Sequence, residues 1–370
     1  MIPANDFKRQ WEEIGEDARR AFESFGQTGW YILGESVLEF ERDLAEFWGL
    51  KHAIGVASGL DAIEISLRAL GCSAGDRVLT TPVSAFATTL AILKLGAVPV
   101  FVDTDESGLV DLMACCSLLK RRRDIRYFVP VHLYGFPIAS EALAAMRKEF
   151  GVSIVEDCAQ SIGASATGRP TGTAGELTAT SFYPTKNLGA FGDGGAILTN
   201  DDSLAARVRS LRDYGQTAKY RHEYLGYNSR LDELQAAILR QACLPRLSQW
   251  TSRRRAIAAR YCAEIRNERV RICVPPLGSE PCWHLFPVFV APDLRNDLMQ
   301  HLKQCGVMAG IHYPVAIPDQ PALAGALHEL ADACSTARLL CSSEVSLPIH
   351  PYLSSEEVDR VVDAVNEWRK

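Results

Sequence analysis

Ser181-Phe182-Tyr183-Pro184-Thr185-Lys186-Asn187-Leu188-Gly189, followed by Gly192-Asp193-Gly194-Gly195, places one lysine in a tight turn flanked by glycine. A lone lysine is ordinarily a surface residue, but Ser181 and the glycine-rich tail point to a shielded amine. Burial disfavours the ammonium form, so such a lysine sheds its proton readily and attacks carbonyl carbon. The apolar run Val152-Ser153-Ile154-Val155 lies upstream and ends in Glu156-Asp157-Cys158-Ala159-Gln160, with Asp157 29 residues before Lys186. A carboxylate at the carboxyl end of a strand stands where open α/β sheets expose reactive groups.

The pattern around this pair is an alternation. Short apolar runs at 78–81, 99–102, 127–132, 153–155 and 196–199 alternate with helical periodicities at 61–70, 85–95, 109–121, 140–150 and 203–214. This predicts a mainly parallel sheet between crossover helices. Upstream, Phe7, Trp11, Ile14, Ala18 and Phe22 share one helical face and a loop follows at 26–29. A second helix is expected from Ser36 as N-cap to a stop at Gly49, with Val37, Phe40, Leu44 and Phe47 inward. Two helical patterns at 231–241 and 246–266 flank Pro245. Beyond it come a proline-marked loop, a strand at 283–290, a helix from Asp293, a stop at Gly306, a strand at 307–311 and a helix at 355–368. The expected organisation is a large domain over 1–244 and a small α+β domain over 245–370, in keeping with a chain too long for one core.

Composition narrows the function. The 370 residues are 47% hydrophobic and 23% charged with a formal net charge of −6, which suits a globular protein and argues against a nucleic-acid surface. The basic run Lys120-Arg121-Arg122-Arg123 reads as the last turn of a helix, favoured by its dipole. The first 20 residues carry no apolar core segment, so no signal peptide or membrane span is expected. Eleven cysteines, an odd number with no C-x-x-C pair, imply reduced thiols in the cytoplasm. Cys158 reads as a small buried residue rather than a nucleophile. No cluster shows metal-ligand spacing, so no metal is expected.

Seven segments in one order carry a resemblance over most of the chain: Gly34-Glu35 with Phe40-Glu41, Ser58-Gly59-Leu60-Asp61-Ala62, Gly75-Asp76, Glu156-Asp157 with Gln160, Ser181 to Gly189, Asn228-Ser229-Arg230, and His312-Tyr313-Pro314. The chain resembles the DegT family of nucleotide-sugar aminotransferases, fold-type I enzymes dependent on pyridoxal 5'-phosphate (PLP), which implies an α/β fold whose mainly parallel sheet has seven strands. The resemblance implies Lys186 as the Schiff-base lysine that then moves protons as base and acid. Asp157 would pair with the ring nitrogen and keep it protonated, as an electron sink requires. A strand-end Asp can also merely cap the next helix; Gln160 and Lys186 outweigh that reading.

The same resemblance gives Gln160 the ring hydroxyl and Phe86 the ring face, although a Phe in an apolar helix is usually core. Ser58-Gly59-Leu60 opens a helix whose N–H groups would hold the phosphate, with Ser181 adding a hydroxyl. Many relatives have Gly-Thr where this chain has Gly59-Leu60, so a hydroxyl contact is missing. Asn228 would reach the phosphate from the opposite subunit of a homodimer, so that active sites are shared; otherwise it closes the loop before the helix at 231. Tyr183, Lys219, His312 and Tyr313 are candidates for the substrate mouth, where a sugar and a pyrophosphate need polar contacts and a cation. His284 reads as a packed strand histidine.

The implied reaction moves an amino group from L-glutamate to a nucleotide-linked keto sugar, with PLP passing through its pyridoxamine form. Gly59-Leu60-Asp61-Ala62, Tyr214-Gly215 with Lys219-Tyr220, and Trp283-His284-Leu285-Phe286 resemble the branch acting at C3 of a dTDP-linked 3-keto-6-deoxyhexose. A 4-keto sugar or a cyclic polyol ketone is the alternative. Related sugar dehydratases carry His in place of the Schiff-base lysine, so Lys186 argues against that activity. From another class, a PLP-binding regulatory module without turnover is disfavoured by the joint presence of Asp157, Gln160, Ser181 and Lys186.

Overall fold

A computed structural model of the chain describes residues 1–369. Its centre is a sheet of eight strands in the spatial order His52–Val56, Gly195–Thr199, Leu177–Ser181, Ser153–Asp157, Ile125–Val129, Arg77–Thr80, Val98–Phe101 and Glu329–Leu330. Only Gly195–Thr199 runs against its neighbours; the other pairings are parallel. Seven strands come from the first 200 residues, as expected, and the eighth is a two-residue edge from the C-terminal region. Val98–Phe101 and Gly195–Thr199 are buried throughout, which is why they read as continuous apolar runs rather than alternating ones.

The crossover helices Gly59–Ala69, Phe86–Lys94, Leu112–Arg121, Ser140–Phe150 and Asp202–Arg212 follow the sequence pattern closely. Asp111 and Asp201 cap two of them by accepting from the second and third N–H groups beyond, and Gly151 ends another in the left-handed conformation. The basic run behaves as a solvated helix end: Arg122 pairs with Asp124 and Glu329, and Arg123 lies over Phe150.

Three expectations near the N-terminus need correction. The second helix is Glu35–Trp48, and its N-cap is Gly34, two residues before the expected Ser36. Gly34 has no side chain to cap with, and the carboxylate of Glu233 does so instead, accepting from the N–H groups of Gly34, Ser36 and Val37. Val37, Phe40 and Leu44 are buried, but Phe47 at the last turn faces out. In the first helix, Phe7–Thr28, Ile14 and Ala18 are buried whereas Phe7, Trp11 and Phe22 remain 48%, 41% and 58% exposed.

Pro245 does not separate two helices. Residues 233–264 form one helical run in which an α segment, the π turn Leu239–Cys243 and the 3-10 turn Leu244–Arg246 lead into Leu247–Glu264. Those irregular turns accommodate a residue without an N–H. The strand expected at 283–290 shrinks to Phe286–Phe289, the centre of a three-stranded sheet with Arg271–Ile272 and Glu344–Leu347. Residues 307–311 contribute only single bridges, Ile2 with Val307 and Gly310 with Ser346. The last helix, Ser355–Glu367, starts with a capping box from Ser354 and Glu357. One apolar cluster runs from Leu79 and Phe128 of the large sheet through Tyr261 and Phe286 to Val361 and Trp368, so both ends of the chain share packing. Among the described residues no helix is long and apolar enough to cross a membrane.

Candidate active site

Adjacent residues of a strand face opposite sides of the sheet, and this separates the two acids that end Ser153–Asp157. Glu156 points away from the site and is saturated. Its oxygens accept from the N–H groups of Gly172, Ala174 and Gly175 and lie 2.9 Å from His132 Nε2. Burial alone would raise its pKa; His132 and those amides overcome burial and hold it below the usual range. Asp157 faces the site with fewer donors. Thr88 Oγ1 donates to Oδ2 at 2.8 Å and the Ala159 N–H to Oδ1 at 3.1 Å. Burial raises its pKa, with Ala159, Thr88 and the charge of Lys186 opposing. The carboxylate sits in a setting that would welcome a further cation.

Lys186 lies in the turn after the strand Leu177–Ser181, its N–H bonded to the Tyr183 carbonyl at 2.8 Å. A Cβ on Gly189 would come within 2.4 Å of the Pro184 carbonyl oxygen, so the turn closes this tightly only with glycine there. The residue as a whole is only partly covered, but the amine is desolvated by the walls around it. Burial pulls its pKa down to about 8, against the pull of Asp157. The neutral fraction near neutral pH is thereby raised far above that of an ordinary lysine, and the neutral amine is the form that attacks a carbonyl.

Beside this pair, Ser58 caps Gly59–Ala69 by accepting from the Asp61 N–H at 3.1 Å. The first N–H groups of a helix have no partner within it. Glycines let neighbouring groups pack tightly against this helix start. A Cβ on Gly59 would sit 2.6 Å from Ser181 Cβ, and one on Gly195 2.5 Å from the Ser58 backbone. Ser181 is thereby held against the start of the helix, its hydroxyl accepting from the Tyr183 N–H at 3.3 Å. Leu60 packs on the apolar cluster behind the helix.

The C-terminal part of the chain supplies a wall. Gln160 accepts from the Tyr134 N–H at 2.6 Å and its Nε2 donates to Tyr313 Oη at 3.2 Å. Tyr134 Oη donates to the His312 carbonyl at 2.9 Å. The charge of Lys186 acts on both His284 and His312. His284 is buried and bonded to Asn187 at 3.1 Å, just before the strand rather than in it. A cavity of about 120 Å³ lined by Thr185, His284, His312 and Ser346 adjoins the lysine turn.

The structure thus gathers Lys186, Asp157, Gln160, Ser181, Ser58, Gly59, His312 and Tyr313. Phe86 opens the helix Phe86–Lys94 half-buried, two residues before Thr88. Tyr183 is at the rim, 52% exposed. Lys219 and Asn228 are not drawn in: Lys219 lies over Tyr220 in an exposed hairpin, and the exposed Asn228 pairs through its backbone with Asp213. Its neighbour Ser229, however, accepts from the Ala57 N–H and donates to Asp61, beside the helix start. Sequence reasoning passed over Thr88, Tyr134 and Glu344, of which only Thr88 had a signal, its place one turn after Ser84. Sequence spacing showed no metal-ligand cluster, yet the fold brings the potential ligand atoms of buried His132, Glu156 and Cys158 within 4.8 Å of one another. Glu156 is already committed to amide donors, His132 Nδ1 accepts from the Ile138 N–H, and burial pushes the Cys158 thiol well up, so the trio reads as structural.

A strand-end acid, a desolvated lysine and a glycine-opened helix start on one α/β sheet define a transferase of the cofactor-dependent kind. The chain belongs to the DegT/DnrJ/EryC1/StrS aminotransferase family, whose model matches residues 12–366. It is 40% identical to the dTDP-3-amino-3,4,6-trideoxy-alpha-D-glucose transaminase of Streptomyces venezuelae, over 99% of this chain and 96% of that one. Among solved structures it resembles S. venezuelae DesV, with TM-score 0.94 at 40% identity, covering 99% of this chain and 98% of that one. It also resembles NtdA from Bacillus subtilis with bound cofactor PMP, with TM-score 0.84 at 28% identity, covering 95% and 80%.

Proposed function

We propose that this aminotransferase uses PLP to carry an amino group from L-glutamate to a nucleotide-linked 3-keto-6-deoxyhexose. The carrying observation is the pairing of a desolvated Lys186 amine with a buried, under-neutralised Asp157. The residues fit the cofactor: the start of Gly59–Ala69, against which the missing Cβ of Gly59 lets the Ser181 hydroxyl pack, suits a phosphate, and Asp157 lacks only a cation to face. Bound there, PLP supplies the electron sink for the carbon attached to nitrogen. Asp157 would hold the ring nitrogen and Gln160 the ring hydroxyl. Phe86 would cover one ring face, and Ser181 with the N–H groups of Gly59 and Leu60 would hold the phosphate. Lys186 would take a proton from the donor's α-carbon as base and deliver it to the cofactor carbon as acid, which a pKa near the working pH favours.

Residues 1–244 act as the cofactor-holding unit and 245–370 as the smaller unit that closes the site, since His284, His312 and Tyr313 reach it from there. His312, Tyr313 and Tyr183 would meet the sugar. The working form is a homodimer. Trp11, Phe22 and Phe191, with Leu234 and Ile238, surround an apolar groove open to solvent, as expected of a surface awaiting a partner. Asn228 and Lys219, outside the cleft of their own chain, would serve that of the partner. Eleven free cysteines, most of them buried, suit a reducing cytoplasm. The named transaminase relative makes a 3-amino sugar, which supports C3 over C4. Proton NMR of the products formed with glutamate from matched 3-keto and 4-keto nucleotide sugars tests this: amination of the 3-keto compound is expected, and amination of only the 4-keto compound overturns it.

A further inference from the structure

Glu344 opens the strand Glu344–Leu347 with no exposure at all, and among the described residues no cation pairs with it. Arg295 acts on it through space but donates to the Cys341 carbonyl. Both carboxylate oxygens are nonetheless engaged. The His312 N–H donates to Oε2 at 2.6 Å, and the Ser346 hydroxyl bonds Oε1. Ser346, two residues on and so on the same face of the strand, also lies 2.9 Å from His312 Nδ1. Reciprocal backbone bonds between Gly310 and Ser346 pin the segment. The imidazole packs closely against Gly310, where a Cβ would fall 3.1 Å from Cε1.

We propose that Glu344 is a positioning residue which sets, through Ser346, whether His312 meets the substrate as a hydrogen-bond donor or acceptor. The backbone N–H of His312 reserves Oε2 as an acceptor, so a proton on the carboxyl must sit on Oε1. It is then donated to the Ser346 oxygen, whose own O–H turns to Nδ1, and the neutral ring carries its hydrogen on Nε2. When Glu344 is ionised, Ser346 donates to Oε1 and its oxygen accepts from Nδ1–H, which leaves Nε2 as a bare acceptor. On ionisation the Glu344 proton passes to Ser346, the Ser346 proton passes to Nδ1 and the Nε2 proton leaves to solvent, so one proton is lost and the histidine stays neutral.

Of the surrounding groups Lys186 titrates in the same range, and it acts on His312 through its charge, whereas Glu344 acts through the hydrogen bonds of Ser346. Burial, with Lys186 adding, pushes His312 down to about 4, so it stays neutral. Burial pushes Glu344 up to about 8, against Ser346, the His312 N–H and Arg295. Tyr134 and Tyr313 are raised above the usual tyrosine range by burial. Cys273 and Cys341 are pushed up to about 12 by the same cause. None of these four titrates where Glu344 does.

The consequence for substrate binding rests on the aminotransferase reading, but the proton arrangement does not, and the two are measured separately. In holoenzyme carrying ¹⁵N-histidine, with the His312 signals assigned by their loss in His312→Asn, nitrogen shifts report the tautomer. Between about pH 6 and pH 10, His312 is expected to pass from the Nε2–H to the Nδ1–H form. In Glu344→Gln the amide must donate to Ser346 as the acid does, so the Nε2–H form should persist throughout. In Ser346→Ala, which keeps Glu344, the tautomer should no longer follow pH. A single tautomer at all pH values in the unaltered protein, or a switch that survives in either variant, overturns the proposal. In kinetics, Glu344→Gln should remove the pH dependence of KM for the keto substrate while the kcat limb set by Lys186 stays. Loss of both limbs or of neither would mean that His312 is merely packed.

Discussion

Glu156 and Asp157 are neighbours on one strand, equally buried, and differ in almost everything else. Behind the sheet Glu156 has four donors and a lowered pKa; in the cleft Asp157 has two donors, the field of Lys186 and a raised pKa. A buried charge is tolerated when its lone pairs are satisfied. One acid has therefore been spent on joining the 172–175 loop to the strand, while the other keeps a deficit that a bound cation can fill. Structural and functional roles are set here by the face on which a side chain falls, not by residue type.

The largest effect expected from this contrast belongs to the partner of Asp157. Lys186→Ala should lower turnover by about 10⁴-fold or more, since it removes both the nucleophile and the acid–base group. The fold should persist and the cofactor should still bind, without the absorbance band of the lysine-linked form. Near-normal transamination would remove Lys186 from the mechanism. Asp157→Ala comes next, with a loss of about 10²–10³-fold in kcat, the size of other preorganised electrostatic contributions. Steady-state kinetics at saturating PLP, normalised to folded protein, would show it.

Glu156→Gln should do the reverse. Breaking a buried, fully bonded acid costs about 3 kcal/mol, which denaturant titration would read as a lower midpoint, while kcat per folded molecule changes little. A large loss of kcat with no loss of stability would break the contrast. Shared sites sharpen it further. Mixing subunits inactivated at Lys186 with subunits inactivated at Asn228 should restore activity through hybrids with one intact site; no recovery would place both residues in one chain's site or make Asn228 dispensable.

How much of this could be read beforehand follows the same division. Asp157, Gln160, Ser181 and Lys186 announce themselves because they stand in short local patterns at strand ends and in a glycine turn. Five strands of the sheet were equally plain, but Leu177–Ser181, which leads into the lysine turn, was not among them. Glu344 and Thr88 were hidden because an acid heading a four-residue strand and a threonine in an apolar helix look like flaws in a core pattern. The strand His52–Val56 was missed because Gly55 interrupts its apolar run, though Glu41 and Arg212 bind its backbone there. The first helix shows another limit. Phe7, Trp11 and Phe22 have the spacing of a core face, and spacing cannot say whether that face meets its own chain or another.

The smallest effect separates the two acids through stability alone. Glu156 is held below its unfolded pKa, so its contribution is present above that value and is lost as pH falls through the folded one. Asp157 is raised, so the folded state favours its protonated form; that contribution is full below the unfolded pKa and is lost as pH rises through the folded value. At pH 7 the cofactor-free protein therefore carries Asp157 at a cost, and Asp157→Asn should melt at a higher temperature than the unaltered chain, with the gap narrowing as pH falls. Adding PLP should reverse the order, because the cation that faces Asp157 is lost on the amide. Calorimetry at pH 5 and pH 7, with and without PLP, checks this; a variant less stable than the parent without PLP would show that Asp157, like Glu156, is already satisfied by its own chain.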